Sequence, residues 1–446
     1  MSHAVSGTEL DLPVIRSYFP AIRQGRIVTN NAASTQMPDP LLNFCKELCL
    51  TYDNVHRGQS AASVRTTALF ENAYRVIANF VGAASWRDII LYRGTTEAIN
   101  AVMYSLMTEF RDGDNIVTTY MEHNSNYIPW YALCREILPR FGRKVQCRLA
   151  RFDPETGELD IDNLAGLVDK RTKLVCCTGA SNFLATRPPL DEVRQIADDS
   201  GYEQPNGVQR SYFLVDGAQL VPNSFVDVVR RDMDFLAWSF HKMLAPVGVG
   251  ALYARESVIE TMRPFHYGGD MIAEGEVSPE RVGYNMMPWR FTAGTPNILG
   301  SIMAGKATEF LVRAALGFTD GSNGYLLARD DIRRAMGRIQ DYEIKLNGYL
   351  LEKLAGIKNL TVYGPAAPER RTSLISFNIR GKDPFDVARA LDRYGVEARA
   401  GCHCATLAHY YLGLDPPASC RISPYFYNTL DEMRFVVDAL REIAAG

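Results

Sequence analysis

Four short stretches combine residue types that could do chemistry. In SFHKM (239–243) a lysine, Lys242, falls between two apolar runs, with Gly248 and Gly250 close behind. A lysine withdrawn from water has a lowered pKa and can form a Schiff base with a carbonyl; the plain alternative is a lysine in a surface turn. In YFLVDGAQ (212–219) an aspartate, Asp216, closes an apolar run. A buried carboxylate needs a partner, and a protonated ring nitrogen would serve. In RGTTE (93–97), Gly94, Thr95 and Thr96 open a helical pattern. Their N–H groups and hydroxyls suit a phosphate, and either threonine would equally serve as an ordinary helix cap. In GCHCATLAHYY (401–411), Cys402 and Cys404 flank His403, which reads as a metal site, as buried thiols or as a thiol that does chemistry.

The first three stretches follow or end apolar runs, and so do two further polar groups. The runs are DIILY (88–92), NIVTTY (115–120), KLVCC (173–177), YFLVD (212–216) and DFLAWS (234–239). Continuous rather than alternating apolar runs of this length are how strands buried on both faces read. Helix-period segments such as EAINAVMYSLMTEF (97–110) lie between them, which predicts an α/β architecture with a mostly parallel sheet. Ligands of such sheets collect at the carboxyl ends of the strands. His123, in EHNSN, follows the second run and could stack on or protonate a ligand, or be a satisfied loop residue. Ser181 and Asn182 follow the third. Residues 318–325 (FTDGSNGY) form a breaker cluster before a long charged helical pattern at 327–355. Beyond it, TSLISFNI, PFDVARALDRYG, VEARA, SCRIS and NTLDEMRFVVDAL read as strand, helix, strand, strand and helix of a second, α+β domain. Residues 200–211 read as an exposed loop without chemistry.

The totals exclude several classes. A chain of 446 residues suggests two to three domain-sized units, or one large domain with a smaller partner. Its 47% hydrophobic and 22% charged content is that of an ordinary globular protein with a large core. With a formal net charge of -3 and no basic stripe, neither nucleic acid nor an acidic membrane is an expected partner. No apolar run approaches a membrane span, and the N-terminus does not read as a signal peptide. Nine cysteines in no framework spacing fit a cytoplasmic protein with reduced thiols. A Schiff-base lysine, a strand-end aspartate and a phosphate-ready helix start are together the parts that pyridoxal phosphate requires.

The same residues carry a family resemblance. NNAASTQMP (30–38), NVHRG (54–58), RGTTEAIN (93–100), EHNSNYIPW (122–130), DGAQ (216–219), SFHK (239–242), AGTPN (293–297), RAGCHCA (399–405) and CRISPYFYNT (420–429) are similar to the motifs of the class V aminotransferases, fold type I of the pyridoxal-phosphate enzymes. Within that fold the chain resembles the group II cysteine desulfurases and selenocysteine lyases. The resemblance implies a large, mostly parallel sheet domain of the seven-stranded type over residues 25–312. Residues 1–24 and 313–446 would form a smaller α+β domain carrying the catalytic cysteine loop. It implies Lys242 as Schiff-base lysine and proton carrier, Asp216 on the pyridine nitrogen, Gln219 and Asn182 on the phenolic oxygen, and His123 stacked over the ring. Thr95, Thr96, Ser239 and His241 would hold the phosphate, with Thr295 reaching it from the second subunit of a homodimer. Arg421 would clamp the substrate carboxylate, accompanied by Arg399 and Asn182. Cys404 takes the place of the catalytic cysteine, and Cys402 stands where the family usually carries the first of two histidines.

The activity so implied is conversion of L-cysteine to L-alanine with sulfur held as a persulfide on Cys404, which calls for a sulfur-acceptor protein. Selenocysteine lyase, a C–S lyase releasing pyruvate and an amino-acid epimerase share the cofactor, and the product separates them. No metal is expected, because Cys-x-Cys is tighter than the usual spacing of zinc sites. The other seven cysteines, Cys45, Cys49, Cys134, Cys147, Cys176, Cys177 and Cys420, read as structural.

Overall fold

The five apolar runs become strands of a seven-stranded sheet. A computed structural model describes residues 9–317 and 327–446; the breaker cluster at 318–325 lies outside the described residues. In chain order the strands are β1 (Ile89–Tyr92), β2 (Asn115–Thr119), β3 (Gln146–Ala150), β4 (Thr172–Thr178), β5 (Tyr212–Asp216), β6 (Phe235–Ser239) and β7 (Gly250–Ala254). Their spatial order is β1-β7-β6-β5-β4-β2-β3, and β7 alone runs antiparallel to its neighbours. The sheet is therefore mostly parallel, as expected. Two strands, β3 and β7, were not among the runs singled out in the sequence.

Both faces of the sheet are covered, which is why its inner strands are largely apolar on both sides, whereas the edge strand β3 (QCRLA) is part-exposed and carries Gln146 and Arg148. Val175 and Cys177 of β4 point into one core with Val215 and Trp238, while Leu174 and Cys176 point into the other with Leu214 and Leu252. The first core is closed by two packed helices, α1 (Ala61–Val81) and, late in the chain, Ile298–Leu316; the second by α2 (Thr95–Leu106). Residues 200–211 are a loop, but not a wholly exposed one: Tyr202 and Gln204 are buried. The Gln204 amide oxygen accepts from the buried Lys173 at 3.0 Å, so the loop adds an acceptor to the Glu109 carboxylate that already pairs with this lysine at 3.1 Å.

The C-terminal part forms a second sheet of four antiparallel strands, β8 (Leu360–Val362), β9 (Ile375–Ile379), β10 (Arg399–Gly401) and β11 (Ser419–Ile422), in the order β8-β9-β11-β10. Helices Arg329–Ala355, Pro384–Arg393 and Leu430–Ala445 supply its core. The expected single strand VEARA is divided: Val396–Glu397 pairs in parallel with Ile27–Val28, and only Arg399–Gly401 joins the sheet. In that sheet Arg421 lies directly opposite Arg399, so both guanidinium groups leave the same face. Like charges set directly opposite repel.

One close approach fixes where the loop before α2 lies. A Cβ added at Gly250 would run into the Gly94 backbone and come within 2.6 Å of the Trp238 carbonyl oxygen. Gly250→Ala should therefore lower stability by about 1–3 kcal/mol, as overpacking of a tight site does. Thermal denaturation checks it: an unchanged Tm would mean that the backbone yields freely here.

Candidate active site

The carboxyl ends of β4, β5 and β6 and the start of α2 surround a cavity of about 200 Å3, covered on its other side by Arg421, Arg399 and the turn that carries Cys404. At one end lies the start of α2. Gly94 is the residue that precedes the helix and no side chain caps it, so neither threonine plays the capping role. Instead the Thr95 N–H donates to the Ser239 hydroxyl at 2.8 Å, the two hydroxyls meet at 2.7 Å, and Thr96 meets Ser125 at 2.7 Å. A helix N-terminus ringed by hydroxyls is suited to a phosphate. His241 lies beside it, and burial and then Lys242 push its imidazole down to about 4, which leaves it neutral.

Lys242 sits on a 3-10 turn, Phe240–Lys242, directly after β6. The Asn30–Thr35 segment holds this turn: Thr35 N–H donates to the His241 carbonyl at 2.9 Å, and the Thr35 hydroxyl accepts from Leu244 N–H at 2.8 Å. Burial lowers the Lys242 amine to about 8, against the pull of Asp216 and with the push of Arg421 and Arg399. Asp216, 3% exposed, is raised by the same burial, against the Ala218 N–H that donates to it at 3.0 Å and the charge of Lys242. His123 accepts from the Ser125 N–H at 3.0 Å through Nδ1, which leaves the proton of the neutral ring on Nε2. Burial, Lys242, Arg421 and Arg399 push its pKa down to about 3.

The covering side is built around Arg421. It is 2% exposed, and the groups that bear on its charge are Arg399 and the thiols of Cys404 and Cys420, none of them a carboxylate. Burial and then Arg399 bring it down to about 9. One Nη donates to the Asn182 carbonyl at 2.8 Å and Nε has no partner among the described residues. The Asn182 amide donates to the His403 carbonyl at 2.6 Å, while its buried Oδ1 has no partner among the described residues. Gln219, 4% exposed, donates to the Ala32 carbonyl at 2.7 Å. A planar cation without an anion, an acceptor without a donor and a strand-end carboxylate beside a lysine fit a ligand set with carboxylate, hydroxyl and pyridinium groups. Pyridoxal phosphate with an amino acid is such a set.

Cys404 lines the cavity and Cys402 does not. The two belong to one turn, closed by the Ala405 N–H donating to the Cys402 carbonyl at 2.8 Å. His403 and Cys404, its central residues, have φ of 51° and 55°. Left-handed non-glycine residues cost about 1–3 kcal/mol each and persist where their surroundings over-determine them. Here the Asn182 amide holds the His403 carbonyl and the Asn124 N–H holds the Cys404 carbonyl at 2.6 Å. The His403 and His409 rings both turn to the Ser419 hydroxyl, at 3.1 and 3.0 Å. Among the described residues no group of three His, Cys, Asp or Glu side chains could hold a metal ion.

The structure thus brings together every singled-out residue of the site but Thr295, which is exposed and lies off the cavity. Ser125, Thr178 and His403 also line it, and had not been singled out for the site. Glu122 is a further omission. Buried under His123, it accepts from Thr119, Asn126 and the Thr178 N–H at 2.7, 2.7 and 2.9 Å, while burial raises it to about 8. The only sequence signal for it was its place in EHNSN. Of the cysteines read as structural, Cys49 is exposed and Cys134, Cys176, Cys177 and Cys420 are buried.

Lys242 offers a direct measurement. Below about pH 8 its ammonium form predominates, and above it the free amine. Trace acetylation of the cofactor-free protein at graded pH, read by peptide mass spectrometry, should give a midpoint near 8 at Lys242, against about 10.4 for surface lysines. A Lys242 midpoint matching the surface lysines would contradict the desolvation argued above.

Comparison with known proteins agrees with this geometry. The family model described as aminotransferase class-V matches residues 27–323 and 332–436. A cysteine desulfurase of Salmonella dublin is 34% identical over 445 residues, covering 99% of either chain, and one of Escherichia coli O9:H4 is 34% identical over 446. Among solved structures, the apo cysteine desulfurase of Thermococcus onnurineus NA1 superposes with a TM-score of 0.86 at 30% identity, covering 99% of this chain and 100% of that one. The Escherichia coli cysteine desulfurase CsdA, in an S-sulfonic acid form, gives 0.81 at 26% identity and covers 98% of both. The chain belongs to the class-V aminotransferase family, alongside the cysteine desulfurases.

Proposed function

We propose that this enzyme is a pyridoxal-phosphate-dependent cysteine desulfurase that takes the sulfur of L-cysteine onto Cys404 as a persulfide and releases L-alanine. One observation carries the reading: Cys404 lines the same cavity as Lys242, Asp216 and Arg421. Thr95, Thr96, Ser239 and His241 would hold the cofactor's phosphate, Asp216 its ring nitrogen, Gln219 and Asn182 its phenolic oxygen, and His123 the face of its ring. When bound, pyridoxal phosphate supplies an electron sink for the substrate Cα.

The chain's own groups do the rest. Arg421 binds the α-carboxylate of L-cysteine with its planar fork, and Arg399 adds positive charge beside it. Lys242, with an amine lowered to about 8, takes the Cα proton on Nζ. Cys404 Sγ, as thiolate, attacks the substrate sulfur. The bond from that sulfur to Cβ breaks with its electron pair left on Cβ, where a proton completes the methyl group of alanine. The persulfide is then passed to an acceptor protein.

The same reading takes residues 25–312 as the cofactor-binding domain and residues 1–24 with 313–446 as the smaller one. The Arg16 guanidinium, which donates to the Tyr427 carbonyl at 2.7 Å and pairs with Glu432 at 2.8 Å, ties residues 1–24 to the C-terminal part and supports that division, although Ile27–Val28, on the large-domain side of the boundary, also pair with Val396–Glu397. All nine cysteines are free thiols, which supports a reducing compartment such as the cytoplasm. No helix among the described residues is long and apolar enough to cross a membrane.

A homodimer with shared sites belongs to this reading. Thr295 is exposed, and an open groove lined by Thr95, Thr96 and His241 runs from the phosphate end of the cavity to Phe265. Isologous dimers are the commonest assembly.

Product analysis tests the reaction. With L-cysteine and a reductant the enzyme should release alanine and sulfide in equal amounts; pyruvate in place of alanine would exclude a desulfurase. Subunit mixing tests the dimer. Combining Lys242→Ala with Thr295→Ala subunits should restore one intact site per mixed dimer, and no recovery above the parents would refute sharing.

A further inference from the structure

We propose that Cys402 is a second sulfur-carrying thiol, which takes the terminal sulfur from the Cys404 persulfide and presents it outside the cavity to an acceptor thiol. The proposal rests on the reading above that Cys404 receives sulfur first. Its basis is the turn itself. Cys402 and Cys404 are the first and third residues of one turn, closed by the hydrogen bond from Ala405 N–H to the Cys402 carbonyl at 2.8 Å. Two Cα–Cα steps of 3.80 Å cannot separate the two residues by more than about 7.6 Å, and a turn shortens that span. Cysteines at about 4.4–6.8 Å between Cα atoms are within reach of a shared sulfur–sulfur bond.

The two thiols nevertheless face different surroundings. Both are half-buried, but Cys404 is on the cavity wall and Cys402 is off it. Immediately before Cys402, Gly401 has φ of 120° and its backbone abuts Phe385: an added Cβ there would lie 3.6 Å from the ring. Phe385 is 46% exposed, so the start of the turn lies toward the outer surface of the small sheet. A sulfur on Cys404 stands on the wall of the cavity that holds the substrate. The same sulfur moved two residues back stands where a protein thiol could approach it.

The exchange balances without any further reagent. The Cys402 thiolate attacks the terminal sulfur of the Cys404 persulfide. The bond between that sulfur and Cys404 Sγ breaks, its electron pair leaves on Cys404 Sγ, and that sulfur takes up the proton given up by Cys402. Cys402 is left as the persulfide and Cys404 as the free thiol, ready for another substrate. The leaving and attacking groups are both cysteine thiols, so the step is near balance and is drawn forward when the acceptor removes the product.

The test is a single turnover of the holoenzyme with L-cysteine, quenched with an alkylating reagent at successive times. Non-reducing mass spectrometry of the 399–421 segment then locates the added sulfur, and glutathione serves as the acceptor probe. The expected result is added sulfur on Cys404 first and on Cys402 afterwards. In Cys402→Ser it should stay on Cys404, with delivery to glutathione slowed by roughly tenfold, because access of the acceptor thiol limits exchange. In Cys404→Ser no sulfur should reach Cys402. Sulfur confined to Cys404 in the unaltered enzyme, delivery from Cys402→Ser at the unaltered rate, sulfur on Cys402 in Cys404→Ser, or a Cys402–Cys404 disulfide with released sulfide would each overturn the relay. Pyruvate release with no added sulfur on either thiol would instead overturn the desulfurase reading, and the relay with it.

Discussion

Asn182 joins the parts of the site that come from distant stretches of chain. It follows β4 of the large sheet, its carbonyl accepts from Arg421 of the small sheet at 2.8 Å, and its amide donates to the His403 carbonyl at 2.6 Å. Arg421 and the cysteine turn are thereby registered against the strand ends that carry Asp216 and Lys242. Buried polar links of this kind are high-stakes, since breaking one leaves the partner desolvated and unpaired. The remaining acceptor of Asn182, its buried Oδ1, has no partner among the described residues, and Asn182 lines the cavity.

Around that link the charges do not cancel. Lys242, Arg421 and Arg399 are met by Asp216 alone among the strand-end carboxylates that line the cavity. The excess is visible in the neighbours: the same three cations help hold His123 neutral, and Arg399 helps to lower Arg421. Two guanidinium groups placed opposite each other on β10 and β11 are unfavourable by themselves. An anion bound between them offsets that repulsion. Preorganised charge in a site closed to water is also where electrostatic stabilisation is largest.

The cysteine turn stores strain. His403 and Cys404 are both held left-handed, by hydrogen bonds to their carbonyls from Asn182 and Asn124 and by the contact of the His403 ring with Ser419. Those contacts come from the loops after β2 and β4 and from β11, so a two-residue conformation depends on three remote elements. The consequence is chemical: one thiol is turned into the cavity and the other is left off it.

Much of this was legible in the sequence, and for a local reason. Strands buried on both faces must be continuous apolar runs, and polar residues at their carboxyl ends must face the crevice of an α/β sheet, so Thr95, His123, Asn182, Asp216 and Lys242 could be picked out one by one. What local pattern cannot encode is pairing between distant segments. The hydroxyl contact of Thr96 with Ser125, the register that opposes Arg399 and Arg421, and the close approach of Gly94 to Gly250 are set by how strands far apart in sequence align. The loop at 200–211 looked exposed because it is polar, yet it packs down with Gln204 as a second acceptor, beside Glu109, for the buried Lys173. The residues at 401–405 announced two thiols and a histidine. Which thiol faces the cavity was decided only by the tertiary structure, because a left-handed turn of non-glycine residues exists only where other parts of the fold hold it.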